Sequence, residues 1–227
     1  MSELTHTSKS IAGQLDFYEE RARNLDLTWC SQVFNLIKLT NQLNDNNRLK
    51  INDIGCNYFQ FYKEIIRRKS ENFFNYYGYD IDQAFINLGL RYFPELNKHH
   101  KVCNVEKTKP RKADISIISA TLEHSENPYN LLSNILDTTS RTIILRTFFG
   151  ESEEIKLIEG EMKDQIVLSP YYINQFSLFR IANLFLEKGF IPRLEKDLAT
   201  NNSASYDVTG SGTFRQMYIL LGTKHKN

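Results

Sequence analysis

Four short stretches carry side chains suited to binding a ligand or moving a proton. The first is Ile51-Asn52-Asp53-Ile54-Gly55-Cys56-Asn57-Tyr58-Phe59-Gln60. Its apolar onset at Leu49, small residue at Gly55 and amphipathic run from Tyr58 predict a strand, a tight turn and a helix. Ligands of open α/β sheets bind at the carboxyl ends of the strands, with charged groups near the helix start. This turn has one glycine where a phosphate cradle wants two or three, and an acid, Asp53, just before it. A carboxylate there repels a pyrophosphate and suits a ligand with a positive charge. The second stretch is Gly78-Tyr79-Asp80-Ile81-Asp82, with Asp80 lying 25 residues after Gly55 (80 − 55), close to the roughly 20 of one βαβ step. The third is Thr121-Leu122-Glu123-His124. A histidine titrates near operating pH, so His124 is a candidate general base; the alternative is that Glu123 and His124 shape a loop. The fourth is Arg146, a cation near the end of an apolar run, suited to a phosphate or carboxylate on a substrate, or to an ion pair with an acid such as Glu151.

These residues need elements to hold them. Helical spacing predicts a helix from Gln14 to Asn24 and another from Thr28 to Gln42, stopped by Asn44-Asp45-Asn46-Asn47. An alternation follows: strands at Leu49–Ile54, Phe73–Tyr79, Lys101–Val105, Asp114–Ala120 and Thr142–Phe148, with helices from Tyr58, Asp82 and Asn127. Asp82 reads as an N-cap, as does Asn127 before Pro128. A last helix is predicted from Asn174 to Lys188, closed by Gly189, and two final strands at Phe190–Leu194 and Arg215–Gly222. The pattern predicts an α/β fold: a seven-stranded, mostly parallel sheet with helices on both faces and an antiparallel terminal strand pair. The whole span 1–227 reads as one domain, with residues 11–45 as N-terminal helices that form a lid over the site.

Composition narrows the chemistry. The chain has 227 residues, enough for one full sheet core, and 28 basic against 27 acidic residues, a net charge of +1. That balance calls for neither nucleic acid nor a membrane surface. No apolar run reaches the roughly 18 residues of a spanning helix. Cys30, Cys56 and Cys103 are widely spaced and odd in number, which reads as reduced thiols in a cytoplasmic protein rather than a zinc or disulfide framework.

From Leu49 to Gly222 the chain resembles the class I, Rossmann-like S-adenosylmethionine-dependent methyltransferases. Asp53-Ile54-Gly55-Cys56-Asn57 looks like the family's Asp-x-Gly-x-Gly turn, with Asn57 for the second glycine and Phe59 near the third. Asparagine tolerates the left-handed backbone region that such a turn needs. The stretch from Ala113 to His124 resembles the family's fourth strand and its Leu-Glu-His tail. The resemblance implies S-adenosyl-L-methionine as cofactor, held by Asp53 at its amino end, by the Gly55–Cys56–Asn57 backbone, and by Asp80 on the ribose. Ile81 would pack on adenine, Asn104 would accept from the adenine amino group, and Thr121 and Leu122 would line the methionine arm.

The implied reaction is SN2 methyl transfer to oxygen or nitrogen of a small molecule, without a metal. Tyr18, Arg146, Tyr171 and Tyr172 are the candidate acceptor-side residues, each with plain packing or pairing as the alternative. Arg146 motivates an anionic acceptor: a sugar, a phosphate-bearing metabolite or a surface-glycan precursor. A monomer or homodimer is expected. Rival functions are an inactive cofactor-binding subunit, motivated by the lost glycines, and a methyltransferase acting on RNA or protein.

Overall fold

The computed structural model describes residues 18–23, 27–43, 47–158, 162–163, 166–167, 171–208 and 214–224. Of the predicted first helix, residues 18–23 are helical, and the rest of it lies outside the described residues, as does most of the Asn44–Asn47 stop.

Helix α1 (Thr28–Thr40) buries Cys30, Val33, Phe34, Leu36 and Ile37 on one stripe. Strand β1 (Leu49–Ile54) leads through the turn to α2 (Gln60–Arg67). Then come β2 (Phe74–Asp80), α3 (Gln83–Tyr92), β3 (His100–Val102) and β4 (Ala113–Ser119). They are followed by α4 (Pro128–Thr138), β5 (Thr139–Gly150), α5 (Leu178–Glu187), β6 (Ile191–Lys196) and β7 (Met217–Thr223). The strands lie side by side in the order β6-β7-β5-β4-β1-β2-β3. Strand β7 runs antiparallel to both β5 and β6, and the remaining pairs are parallel. The chain therefore reverses direction across the sheet between β1 and β4, the switch point where open α/β sheets take their ligands.

Strands β1, β4 and β5 are buried along nearly their whole length, as strands covered on both faces must be. Ile51, Ile115, Ile117 and Ile144 pack under α1 and α2 on one face. Ile118, Ile143 and Leu145 pack under α4 and α5 on the other. Among the described residues no helix is long and apolar enough to cross a membrane. The three cysteines are free thiols, two of them buried.

Several boundaries depart from the sequence expectation for local reasons. Helix α2 starts at Gln60, two residues late, because Asn57 and Phe59 both take positive φ (55° and 64°). The predicted start of the last helix is extended backbone instead: Phe176–Ser177 pairs parallel with Phe149–Gly150, an eighth, two-residue strand, and α5 begins only at Leu178. Asn127 makes no side-chain capping bond, although Pro128 does open α4. Asp82 caps α3 as expected, its carboxylate accepting from the Ala84 N–H at 2.7 Å. Gly189 (φ +78°) closes α5: its N–H bonds the Leu186 carbonyl while the Phe190 N–H bonds that of Phe185, a Schellman motif.

Candidate functional site

The turn after β1 folds back onto the end of β2. The Gly55 and Cys56 N–H groups both donate to the Tyr79 carbonyl, at 2.8 and 2.9 Å. Gly55 sits at φ +71°, and a Cβ there would lie 2.1 Å from the Thr121 Oγ1, so only glycine fits between the turn and the residue that ends β4. Asn57 takes the left-handed conformation that the missing second glycine would have supplied, and its Oδ1 accepts from the next N–H at 2.8 Å. Phe59 is also left-handed, which is uncommon for a bulky side chain, and is fully buried. Its ring fills the space over Gly78 and Gly89, where an added Cβ would come within 2.9 and 2.5 Å of it. The absence of a Cβ at Gly78 and Gly89 is what makes room for a phenyl ring at position 59.

Two carboxylates flank this turn. Asp53 is buried, accepts from the Tyr76 hydroxyl at 2.6 Å, and is pushed up to about 7 by burial, with Tyr76 pulling the other way. Asp80 accepts from the Asn57 N–H at 2.8 Å and from the Asp82 N–H at 2.9 Å, yet burial still holds it at about 6. Ile81 beside it is half-buried. Asp82 is buried, and its second carboxylate oxygen has no hydrogen-bond partner. After β3, Asn104 Oδ1 accepts from the Glu106 N–H at 2.8 Å, so the oxygen expected to meet an adenine amino group also closes a local turn.

Past β4 the chain kinks at Ala120 (φ +50°) and enters a 3₁₀ turn over Leu122–His124. The Thr121 hydroxyl lies 3.2 Å from the Ile54 carbonyl and 3.1 Å from that of Ser119, and Leu122 is fully buried. Glu123 is buried beneath the turn, accepts from the Thr147 hydroxyl at 2.9 Å, and is raised to about 7 by burial against the pull of backbone amides. His124 Nδ1 lies 2.8 Å from the Tyr172 carbonyl. A carbonyl only accepts, so Nδ1 carries the proton and the neutral ring has its lone pair at Nε2. Asn174 ties this wall to the turn: its N–H donates to the Glu123 carbonyl and its Nδ2 to that of Ser125, both at 2.8 Å. Tyr171 is buried in a small cluster with Phe148, Ile173 and Met217, and Tyr172 is half-buried.

Arg146 has a partner that the sequence did not indicate. Its Nε and Nη2 each bond one oxygen of Asp197 at 2.9 Å, a two-point ion pair between a nearly buried and a fully buried side chain. Its Nη1 lies 3.5 Å from Ser119 Oγ, and Trp29 stands 5.9 Å from the guanidinium. The ion pair is with Asp197, not Glu151, and it uses the donor pair that an anionic substrate would have needed. Tyr18, on the 18–23 helical segment, is edge-on to Phe85 at 4.8 Å and to Tyr58 at 6.4 Å. It lies close enough to Asp80 for that charge to raise its pKa, after burial.

Besides Asp197, sequence reasoning passed over Tyr76, and it met Tyr58 only as the start of a helical run. Tyr76 had a signal, since it stands 23 residues from Asp53, one strand along. Glu123 was read with His124 as shaping a loop, and only the fold shows that its carboxylate turns inward to the Thr147 hydroxyl.

No protein-family model and no curated protein matches the sequence. Solved structures do match in fold. Magnesium protoporphyrin IX methyltransferase (ChlM) from Synechocystis, with S-adenosylhomocysteine bound, aligns over 96% of this chain and 98% of its own, with a TM-score of 0.58 and 12% identity. An S-adenosylmethionine-dependent methyltransferase from Clostridium acetobutylicum aligns over 96% and 100%, with a TM-score of 0.61 and 7% identity. An N-methyltransferase from Haemonchus contortus, solved with phosphomonomethylethanolamine and S-adenosylhomocysteine, aligns over 99% of this chain and 59% of its own, with a TM-score of 0.62 and 12% identity. Strand order, the turn after β1 and these likenesses agree: the chain has the class I, Rossmann-like fold of S-adenosylmethionine-dependent methyltransferases.

Proposed function

We propose that this chain is an S-adenosylmethionine-dependent methyltransferase that methylates oxygen or nitrogen of a small-molecule acceptor without a metal. One observation carries the reading. A turn with left-handed residues at Gly55 and Asn57 is set against the Asp80 carboxylate at the ends of adjacent strands. The donor set fits the cofactor. Two carboxylates raised by desolvation, Asp53 buried and Asp80 half-buried, gain from a ligand that brings an ammonium and a ribose diol, and would repel a pyrophosphate. Gly55 to Asn57 would lie along the methionine arm with Thr121 and Leu122, Asp53 would face the amino group, Asp80 the ribose, and Ile81 and Asn104 the adenine end.

The cofactor, when bound, supplies a sulfonium methyl already activated for SN2 transfer. The protein's share is alignment and exclusion of water. Thr121 and the kink at Ala120 set the floor on which methyl and acceptor meet. His124, held through Nδ1 by the Tyr172 carbonyl, is the candidate to take a proton from a hydroxyl or ammonium acceptor. Tyr171 and Tyr172 wall the acceptor side, and the 18–23 segment with Tyr18 covers the cofactor side. Arg146 has its charge balanced by Asp197, so the acceptor reading rests on these aromatic groups and not on an anion site. Two of the solved neighbours act on or bind small molecules, a magnesium porphyrin and a phosphobase, which supports a small-molecule acceptor.

Calorimetric titration with S-adenosylmethionine and S-adenosylhomocysteine, on wild type and Asp80→Ala, tests the reading. Micromolar binding that Asp80→Ala abolishes is the expected result. Binding without turnover across an acceptor panel would favour an inactive cofactor-binding subunit. Turnover only on RNA or protein would favour the larger-acceptor rival. No binding by folded wild type would refute the proposal.

A further inference from the structure

Tyr58 follows directly on the Gly55–Asn57 turn. Its side chain is 1% exposed, and its hydroxyl has no hydrogen-bond partner. A buried phenol left so costs roughly 1–3 kcal/mol, and native structures rarely keep one without a use. The ring packs with Ala22, Leu88, Tyr18 and Tyr92, so it lies between α3 and the 18–23 helical segment. Burial pushes the hydroxyl up to about 12, and the Arg21 charge lies close enough to oppose this. The Tyr58 phenol on the turn therefore faces the Tyr18 ring and the Arg21 guanidinium of the 18–23 segment.

Charge bookkeeping shows what they suit. The two acids at the turn, Asp53 and Asp80, answer a cation and a diol. The amino-acid end of the cofactor is a zwitterion and also brings a carboxylate. Arg146 does not meet it, because its fork is spent on Asp197. Beside the turn, the Tyr58 hydroxyl is a buried donor without a hydrogen-bond partner, and Arg21 supplies positive charge. We infer that the Tyr58 hydroxyl, with the Arg21 guanidinium behind it, binds the α-carboxylate of the cofactor's methionine arm once the 18–23 segment admits the ligand. This rests on the cofactor reading above and adds a contact to it. Tyr58 is a binding residue in this account and takes no part in the methyl transfer.

The test uses Tyr58→Phe, which keeps the ring and removes only the oxygen. S-Adenosylhomocysteine, its decarboxylated analogue (which keeps the amine) and 5′-methylthioadenosine (which lacks both groups) are titrated calorimetrically into wild type and variant. A hydrogen bond to a charged group predicts an affinity loss of about tenfold or more for S-adenosylhomocysteine in Tyr58→Phe. The other two ligands should bind both proteins equally, and thermal stability without ligand should hold or rise. Unchanged S-adenosylhomocysteine affinity, or an equal loss for all three ligands, overturns the contact and leaves the cofactor reading standing. Failure of all three to bind wild type overturns both.

Discussion

Gly55 and Thr121 allow the turn's geometry to be tested by energy alone. Gly55→Ala has two separable effects. An alanine at φ +71° carries the left-handed penalty of roughly 1–2 kcal/mol. Its Cβ would also lie 2.1 Å from Thr121 Oγ1 and 2.8 Å from Cγ2, so the Thr121 side chain must swing out. That forfeits the packing of its methyl and the one hydrogen bond its hydroxyl can donate, shared between the Ile54 and Ser119 carbonyls, together roughly 1–2 kcal/mol. The single variant should lose roughly 2–4 kcal/mol. Thr121→Ala removes the same hydroxyl and should lose roughly 1–2 kcal/mol. In the double variant the clash with Oγ1 and Cγ2 is gone and only the backbone penalty and a tight 3.0 Å approach to Cβ remain. The two losses should therefore fall short of additivity by about 1–2 kcal/mol. Urea unfolding of the four proteins, compared at constant m, reads this directly. Additivity to within about 0.5 kcal/mol would refute the claim that Gly55 is required by its contact with Thr121.

Three further outcomes follow from the shielded charges. Asp53 at about 7 and Asp80 at about 6 stand above their ordinary 3.8, so the folded protein holds protons that the unfolded chain has released. Stability without ligand should fall as pH rises from about 4 to about 7, less steeply in Asp53→Asn, as followed by thermal melts across pH. A ligand ammonium favours ionised Asp53, so S-adenosylhomocysteine affinity should strengthen over the upper part of that window; a flat calorimetric profile would contradict the placement of Asp53. Arg146→Ala leaves Asp197 fully buried without its counter-ion and should cost roughly 3–5 kcal/mol in urea unfolding. Arg146→Met with Asp197→Leu should recover much of it, whereas loss of binding to anionic acceptors alone, with stability intact, would restore the substrate role for Arg146.

The fold was legible because its signals are local. Apolar strands alternating with amphipathic helices, and a polar stretch before the last strand, were enough for a parallel sheet with an antiparallel end. The same locality exposed Asp53, Gly55 and Asp80, each fixed by its place in one strand-turn-helix unit. The ion pair that the sequence offered as one reading of Arg146 was legible, but not the acid that makes it, because Asp197 lies 51 residues away, in a loop that only the sheet order brings alongside β5. The start of α5 was misplaced because Asn174 to Ser177 look helical by spacing but are used as extended backbone, pinned by Asn174 to Glu123 and Ser125. Tyr58 reads in sequence as one more core aromatic, and nothing short of the folded chain shows its oxygen without a partner.

Phe59 has a consequence beyond its own site. With its ring seated over Gly78 and Gly89, three positions scattered over β2, α3 and the turn form a single packing solution. None of them can change alone: a glycine at 59 would empty a fully buried ring's volume, and a side chain at 78 or 89 would collide with that ring. A substitution at any one of the three is conditional on the other two. A profile that scores each position separately charges the chain once for every departure, although together they keep the same backbone. The shape of the cofactor turn can thus outlast the glycine signature by which such turns are usually found.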